Sequence, residues 1–267
     1  MTTYQNRVYT RNPFARALNF SYARTLQIVS GHKSKLSQFI GDPELDTVYQ
    51  RIASLCESFE ENYALWAASI AERKKCRQDL GEQLAMLNST LIEDWDIRMQ
   101  MKFKPSTTEY QKLMRGYRRS FQKGSIKARI SRVRTLSILL KQYPNLSDLQ
   151  EEVETFHALV YALRMEQHRW KTKVRQLAAT LQRLTPALKK ALFQNLCNLV
   201  MLYPDEPNMV VSFFDMELIR SKNTTVDDDD LFDFEEDEDE LTELFSDSDD
   251  DSSEIVVPEN NETVFSG

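Results

Sequence analysis

SDLQEEVETFHALVYALRMEQHRWKTKVRQLAATLQRLTPALKKALFQNLCNLVMLY, residues 147–203, decides the fold class. Leu149, Val153, Phe156, Val160, Leu163, Trp170, Leu177, Leu181 and Leu184 recur at steps of three, four and seven. That is the spacing of one face of an α-helix. Ser147-Asp-Leu-Gln150 has the form of a capping box and predicts where the helix opens. Pro186 falls inside the pattern, which predicts a kink or a break there, and Leu188, Leu192, Leu196, Leu199 and Leu202 carry the stripe on to Tyr203-Pro204.

A second segment of nearly equal length precedes it. Asp42-Pro43-Glu44 is a helix start, with Pro at the first helical position and an acid on the helix dipole. Leu45, Val48, Ile52, Leu55, Phe59, Trp66 and Ile70 form its first face, and Leu80, Leu84, Leu87, Leu91 and Trp95 resume the pattern after Cys76. No Pro interrupts residues 44–104, and Gly81 and Asn88 are the weak points. Neither stripe can stay exposed to water, so the two segments must pack along each other or on a second copy. The expected fold is therefore all-α: an elongated, coiled-coil-like antiparallel helical bundle built on two long helices.

The flanks divide the chain into an N-terminal segment, 1–41, the bundle, 42–220, and an acidic tail, 221–267. Asn12-Pro13 predicts a short amphipathic helix through Phe14, Leu18, Tyr22 or Ala23, and Leu26, ended by Gly31. Thr107 or Thr108 caps a short helix after Pro105, Gly116 to Gly124 forms a basic loop, and a further helix spans 125–142 with Ile126, Ile130, Val133 and Leu140 inward. Met209 to Ile219 is an apolar cluster expected to form one closing helix.

Charge is laid out unevenly. The chain carries −7 overall, but residues 221–267 hold nineteen acids and one Lys. Residues 98–143 hold thirteen Lys or Arg against the single acid Glu109. Such asymmetry predicts interaction surfaces. The tail cannot bury enough apolar surface to fold alone and is expected to be disordered. Leu231, Phe234, Leu241 and Phe245 lie in it at helix-compatible spacing, as in a segment that orders on docking. In the basic stretch much of the charge flanks the 125–142 stripe, where cation stems ordinarily lie on apolar surface. Arg115, Arg118, Arg119 and Lys123 have no such explanation and are the candidate anion- or partner-binding residues.

Tyr110 to Ile130, with Phe121-Gln-Lys-Gly124-Ser-Ile before a helix, and Tyr203-Pro-Asp-Glu-Pro with Phe213-Phe-Asp-Met-Glu-Leu-Ile219 resemble an uncharacterised family of bacterial helical proteins. The resemblance covers roughly residues 40–220. It implies the long-helix plan and a bacterial origin, and it brings no activity with it.

No catalytic, cofactor or metal site is expected. Glu154-Thr-Phe-His157 has the E-x-x-H spacing, but a di-iron bundle needs two such motifs and Met165 stands three residues before His168. Two His without a third ligand make a poor zinc site. Six Gly in all, with no G-x-G-x-x-G or P-loop, argue against a phosphate-cradling loop. No apolar run is long enough to span a bilayer. Cys56, Cys76 and Cys197 form no CxxC, which favours a reducing, cytoplasmic setting. The expected function is non-enzymatic: an interaction or scaffold protein contacting a protein partner or its own tail, with homo-oligomerisation open. The alternative is a nucleic-acid binder held back by its acidic tail.

Overall fold

The computed structural model describes residues 12–18 and 21–220. The expected disorder of the acidic tail concerns residues outside that set. Ten α-helices occupy the described residues: α1 Phe14–Ala17, α2 Tyr22–Ser37, α3 Pro43–Met86, α4 Ile92–Gln100, α5 Thr108–Leu113, α6 Arg119–Gln122, α7 Ile126–Leu140, α8 Ser147–Leu202, α9 Pro207–Ser212 and α10 Met216–Arg220. A π turn, Leu87–Leu91, joins α3 to α4, and a 3-10 turn, Pro144–Leu146, leads into α8.

α3 and α8 are the frame. They run antiparallel: Asn195 donates to the Val48 carbonyl at one end, while at the other Leu80 and Leu84 share a core with Val153, Phe156 and Val160. With 44 and 56 residues, they are about 66 and 84 Å long at 1.5 Å per residue. Buried positions recur at steps of seven or fourteen on both, through Leu45, Ile52, Phe59, Trp66 and Leu80 on α3, continued by Leu87 in the π turn, and Val153, Val160, Val174, Leu181, Leu188 and Asn195 on α8. The seam on α8 differs from the expected stripe in its middle third. It passes through Arg164 and Lys171, both buried, while Leu163, Trp170 and Leu177 sit half-buried beside it. Long cationic stems cover the seam there and the bulkier apolar groups seal its flank.

The ends are apolar. One cluster joins Leu80, Leu84, Leu87, Ile92, Trp95 and Met99 to α5, α6, α7 and the first turns of α8. At the other end Phe14, Ile28, Val29, Leu36, Leu188, Leu192, Phe213 and Phe214 are all buried.

Local signals account for most helix starts. Asp42 accepts from Glu44 N at 3.0 Å, Asn12 from Phe14 N at 2.9 Å, Thr107 from Tyr110 N at 3.4 Å and Ser125 from Ala128 N at 3.2 Å. Five expectations are corrected. The Asn12 cap opens only α1, and α2 starts at a separate cap, Ser21, and runs through Gly31 because Ile28, Val29, His32 and Leu36 are buried on both sides of it. Gly41, at φ 109°, makes the turn into Asp42 instead. At Asn88 the helix loosens into a π turn, but Gly81 is ordinary helix. Ser147 makes no capping bond to the α8 backbone, since the 3-10 turn already leads the chain in. Pro186 does not break α8: it is exposed, with Leu181 and Leu188 buried around it, and the Thr185 hydroxyl donates to the Leu181 carbonyl at 2.9 Å. The closing segment is two helices, α9 and α10, interrupted at Phe213–Asp215.

That interruption has a physical use. It frees two carbonyls, and His32 Nδ1 donates to Phe213 O at 2.9 Å while Lys35 donates to Phe214 O at 2.9 Å. Asn195 Nδ2 donates to His32 Nε2 at 3.1 Å, which sets the neutral tautomer, and Asn195 Oδ1 accepts from Arg51 at 3.0 Å. Phe214 stacks on the imidazole at 4.4 Å. One satisfied polar network thus ties α2, α3 and α8 to the 213–214 link.

Burial pushes the His32 pKa down to about 4, against the Phe213 hydrogen bond and with help from the Lys35 charge. Above pH 6.5 the residue is neutral folded or unfolded. As pH falls from 6.5 to 4 the unfolded chain takes up the proton and the folded chain does not. Stability is therefore lost across that window, on the order of 3 kcal/mol from this residue. Urea unfolding at pH 7, 5.5 and 4.5 should show the decline, and His32→Gln should flatten it relative to wild type. His157, whose pKa burial also lowers, contributes equally to both chains.

Candidate functional site

The basic segment is built outward from α4 by one turn and two anchors. After α5, Gly116 and Tyr117 both take positive φ, 82° and 55°. Tyr117 is the one non-glycine residue with positive φ among those described, and its ring is exposed. A Cβ on Gly116 would lie 3.2 Å from Ser120 Cβ, so the turn requires glycine there on two counts.

The first anchor is buried Asp96 on α4. Its Oδ1 accepts from Tyr110 Oη at 2.6 Å and Gln100 Nε2 at 3.0 Å, and its Oδ2 accepts from Arg118 Nε at 2.5 Å. Arg118 Nη1 also meets Glu93 at 3.0 Å. Burial opposes ionisation of Asp96, but these hydrogen bonds outweigh it and hold its pKa below the ordinary carboxylate value. The Tyr110 phenol, buried and donating to that carboxylate, is pushed up to about 12.

The second anchor is Arg129 on α7, buried without a carboxylate. Its Nε donates to the Phe121 carbonyl at 2.8 Å, and Nη2 donates to the Leu84 carbonyl at 2.9 Å and Asn88 Oδ1 at 2.8 Å. Gln122 adds a bond to the Asn88 carbonyl at 3.0 Å. In the π turn Ile92 N reaches back five residues to Leu87 O, and such turns leave displaced backbone that outside donors can enter. Desolvation lowers the Arg129 pKa, yet the group stays charged and fixes α6 and α7 to the α3–α4 junction.

Between the anchors lies a recess of about 230 Å³. Lys112, Arg115 and Arg132 stand at it, over Leu113, Phe121 and Leu136. No acid lines it. None of the three cations forms an ion pair with a described residue.

The four cations singled out from sequence separate accordingly. Arg115 lines the recess, and Arg118 is turned to Asp96 and Glu93. Arg119 and Lys123 are exposed at the two ends of α6. Leu231, Phe234, Leu241 and Phe245 lie outside the described residues. Lys112 and Arg132 were not foreseen, because sixteen residues of chain separate Arg132 from the 116 turn and only the folding of α7 over α5 brings them together.

The rest of the basic stretch is partly spent. Arg98 bonds Asp94 and Glu152, the latter also taking the Trp95 indole at 2.8 Å, and Lys141 pairs with Glu154 at 3.2 Å. Its aromatic rings, Tyr117 apart, are spent as well. Tyr110 and Phe121 are buried, and Phe103 packs edge-on to Tyr143 at 5.1 Å.

His157 is half-buried and stacks on Tyr161 at 5.9 Å. Burial lowers its pKa, the Arg134 charge adds to that, and Glu154 opposes it. Among the described residues no three His, Cys, Asp or Glu side chains converge as a metal site. Burial pushes the Cys56 and Cys76 thiols upward, the reverse of an activated nucleophile. No described helix is long and apolar enough to cross a membrane. No protein-family model, curated protein or solved structure matches the chain. The resemblance to bacterial helical proteins accordingly rests on its two motif segments alone.

Replacing Arg129 tests the second anchor. Arg129→Met should cost about 2–4 kcal/mol, because two backbone carbonyls and the Asn88 side chain lose their buried donor. Lys, a single point donor, should recover only part of that loss. Chemical denaturation of the three chains measures it.

Proposed function

We propose that the chain is a non-enzymatic interaction or scaffold protein. The basic region 98–143 and the acidic segment 221–267 are the surfaces through which it meets other proteins. The observation that carries this reading is the recess at Lys112, Arg115 and Arg132, where charge that no described acid neutralises stands over an apolar floor. Cations placed that way suit a partner that is acidic and apolar at once. The acidic segment is the matching chemistry, with Leu231, Phe234, Leu241 and Phe245 among its carboxylates. Three free cysteines, two of them buried, fit the reducing, cytoplasmic setting.

The competing reading, a nucleic-acid binder restrained by its acidic tail, is less well supported. Single-strand binders stack bases on exposed rings, and here Tyr117 alone of the basic stretch offers one.

Crosslinked pull-downs with the full chain and with a chain ending at Arg220 test the proposal. Defined protein partners that survive nuclease treatment, some of them lost on truncation, are the expected result. Recovery that disappears with nuclease, together with tighter oligonucleotide binding by the shortened chain and a steep salt slope, would replace it with the second reading.

A further inference from the structure

The recess beside the Gly116 turn has a more specific implication. It is concave and open on one side. Lys112 comes from α5, Arg115 from the loop after it, and Arg132 from α7. The cations are therefore supplied by two parts of the chain, 112–115 and α7, over a floor that includes buried Phe121 and half-buried Leu139. Thr135, the polar group at the wall, has its hydroxyl engaged with the Ser131 carbonyl at 3.0 Å.

We propose that this recess is a docking site for an acidic protein segment, which inserts one Phe or Leu side chain while the three cations hold the flanking carboxylates. The inference rests on the interaction-protein reading and gives that reading its contact point and the chemistry of its partner.

Two features favour a peptide over the phosphates of a nucleic acid. The first is the floor. A phosphate backbone would gain nothing from half-buried Leu139, whereas an aliphatic or aromatic anchor covers apolar area there, backed by the already buried Leu113 and Leu136. The second is the ring geometry. Phe121 is 2% exposed, so it serves as floor and cannot be a stacking platform for a base. Carboxylates suit the rim, because Arg115 and Arg132 can each take one in a two-pronged pair.

The two anchors hold the recess open in the free protein. Arg118, bound to Asp96, fixes the turn that carries Arg115, and Arg129, bound to the Phe121 and Leu84 carbonyls, fixes the floor and α7. A site held this way loses little conformational freedom when a segment enters.

The probe is a fluorescein-labelled peptide with the sequence of residues 227–245, DDDDLFDFEEDEDELTELF, titrated into the full-length protein and read by anisotropy. Arg115→Glu and Lys112→Glu, both at exposed positions, should each weaken binding, and together by about tenfold or more. Leu139→Asp should weaken it too, as should a peptide with every Leu and Phe changed to Ser. Lys102→Glu with Lys104→Glu makes the same charge change away from the recess and should leave affinity within about twofold. Circular dichroism on each variant confirms folding.

Equal weakening by the Lys102/Lys104 pair would overturn the recess and leave the broader reading of a basic protein-binding region in place. Indifference to loss of the peptide's Leu and Phe would likewise overturn it. Failure of the peptide to bind, with a single-stranded oligonucleotide of equal charge binding in its place, would overturn both readings.

Discussion

Everything in the described body follows from one constraint: neither α3 nor α8 can bury its own apolar stripe. Each is far longer than a helix needs to be for packing into a compact core, so the only cover available at every turn is the other helix. The antiparallel seam is the outcome, and the shorter elements fill what it leaves open. α2 lies along the start of α3, and α7 lies beside the start of α8. Their positions are set by where the two long helices expose apolar surface at the ends.

Each end is then closed by a polar network as well as by packing. At one, Asn195 bridges His32, Val48 and Arg51. At the other, Asp96 gathers Tyr110, Gln100 and Arg118, and Arg129 holds the π turn. Buried polar groups of this kind add little net stability over a well-packed apolar core, but they punish misalignment, since a slip of one residue leaves several of them unpaired. Two helices with a repeating stripe can slide by a heptad at modest cost in apolar contact. The networks remove that freedom, and the recess inherits its fixed shape from them.

The fold class was legible because its signals are local. Caps such as Asp42 and Ser125, and stripes such as Ile126, Ile130 and Val133, depend on neighbours in sequence. What was not legible depends on partners far along the chain. Arg129 was expected to flank a stripe as one more solvated cation, and it is buried because carbonyls at 84 and 121 need a donor. His32 directly follows Gly31, where a helix was expected to end, and its role arises from Phe213, 181 residues away. Pro186 was expected to distort its helix, but exposure of the ring side and burial of Leu181 and Leu188 carry the helix through. Arg118 was grouped with Arg115 because they are adjacent in sequence. The turn at Gly116 and Tyr117 sends one to Asp96 and the other to the recess. Residue count located the charged region well, and only the fold could say which charges were already used.

The seam's middle third has a consequence of its own. Apolar cover is concentrated at the two ends of the α3–α8 pair, with Ser69, Arg164 and Lys171 among the buried groups between them. Those groups share the span with buried Trp66, Cys76, Val174 and Leu181, so the two ends remain joined through one continuous seam.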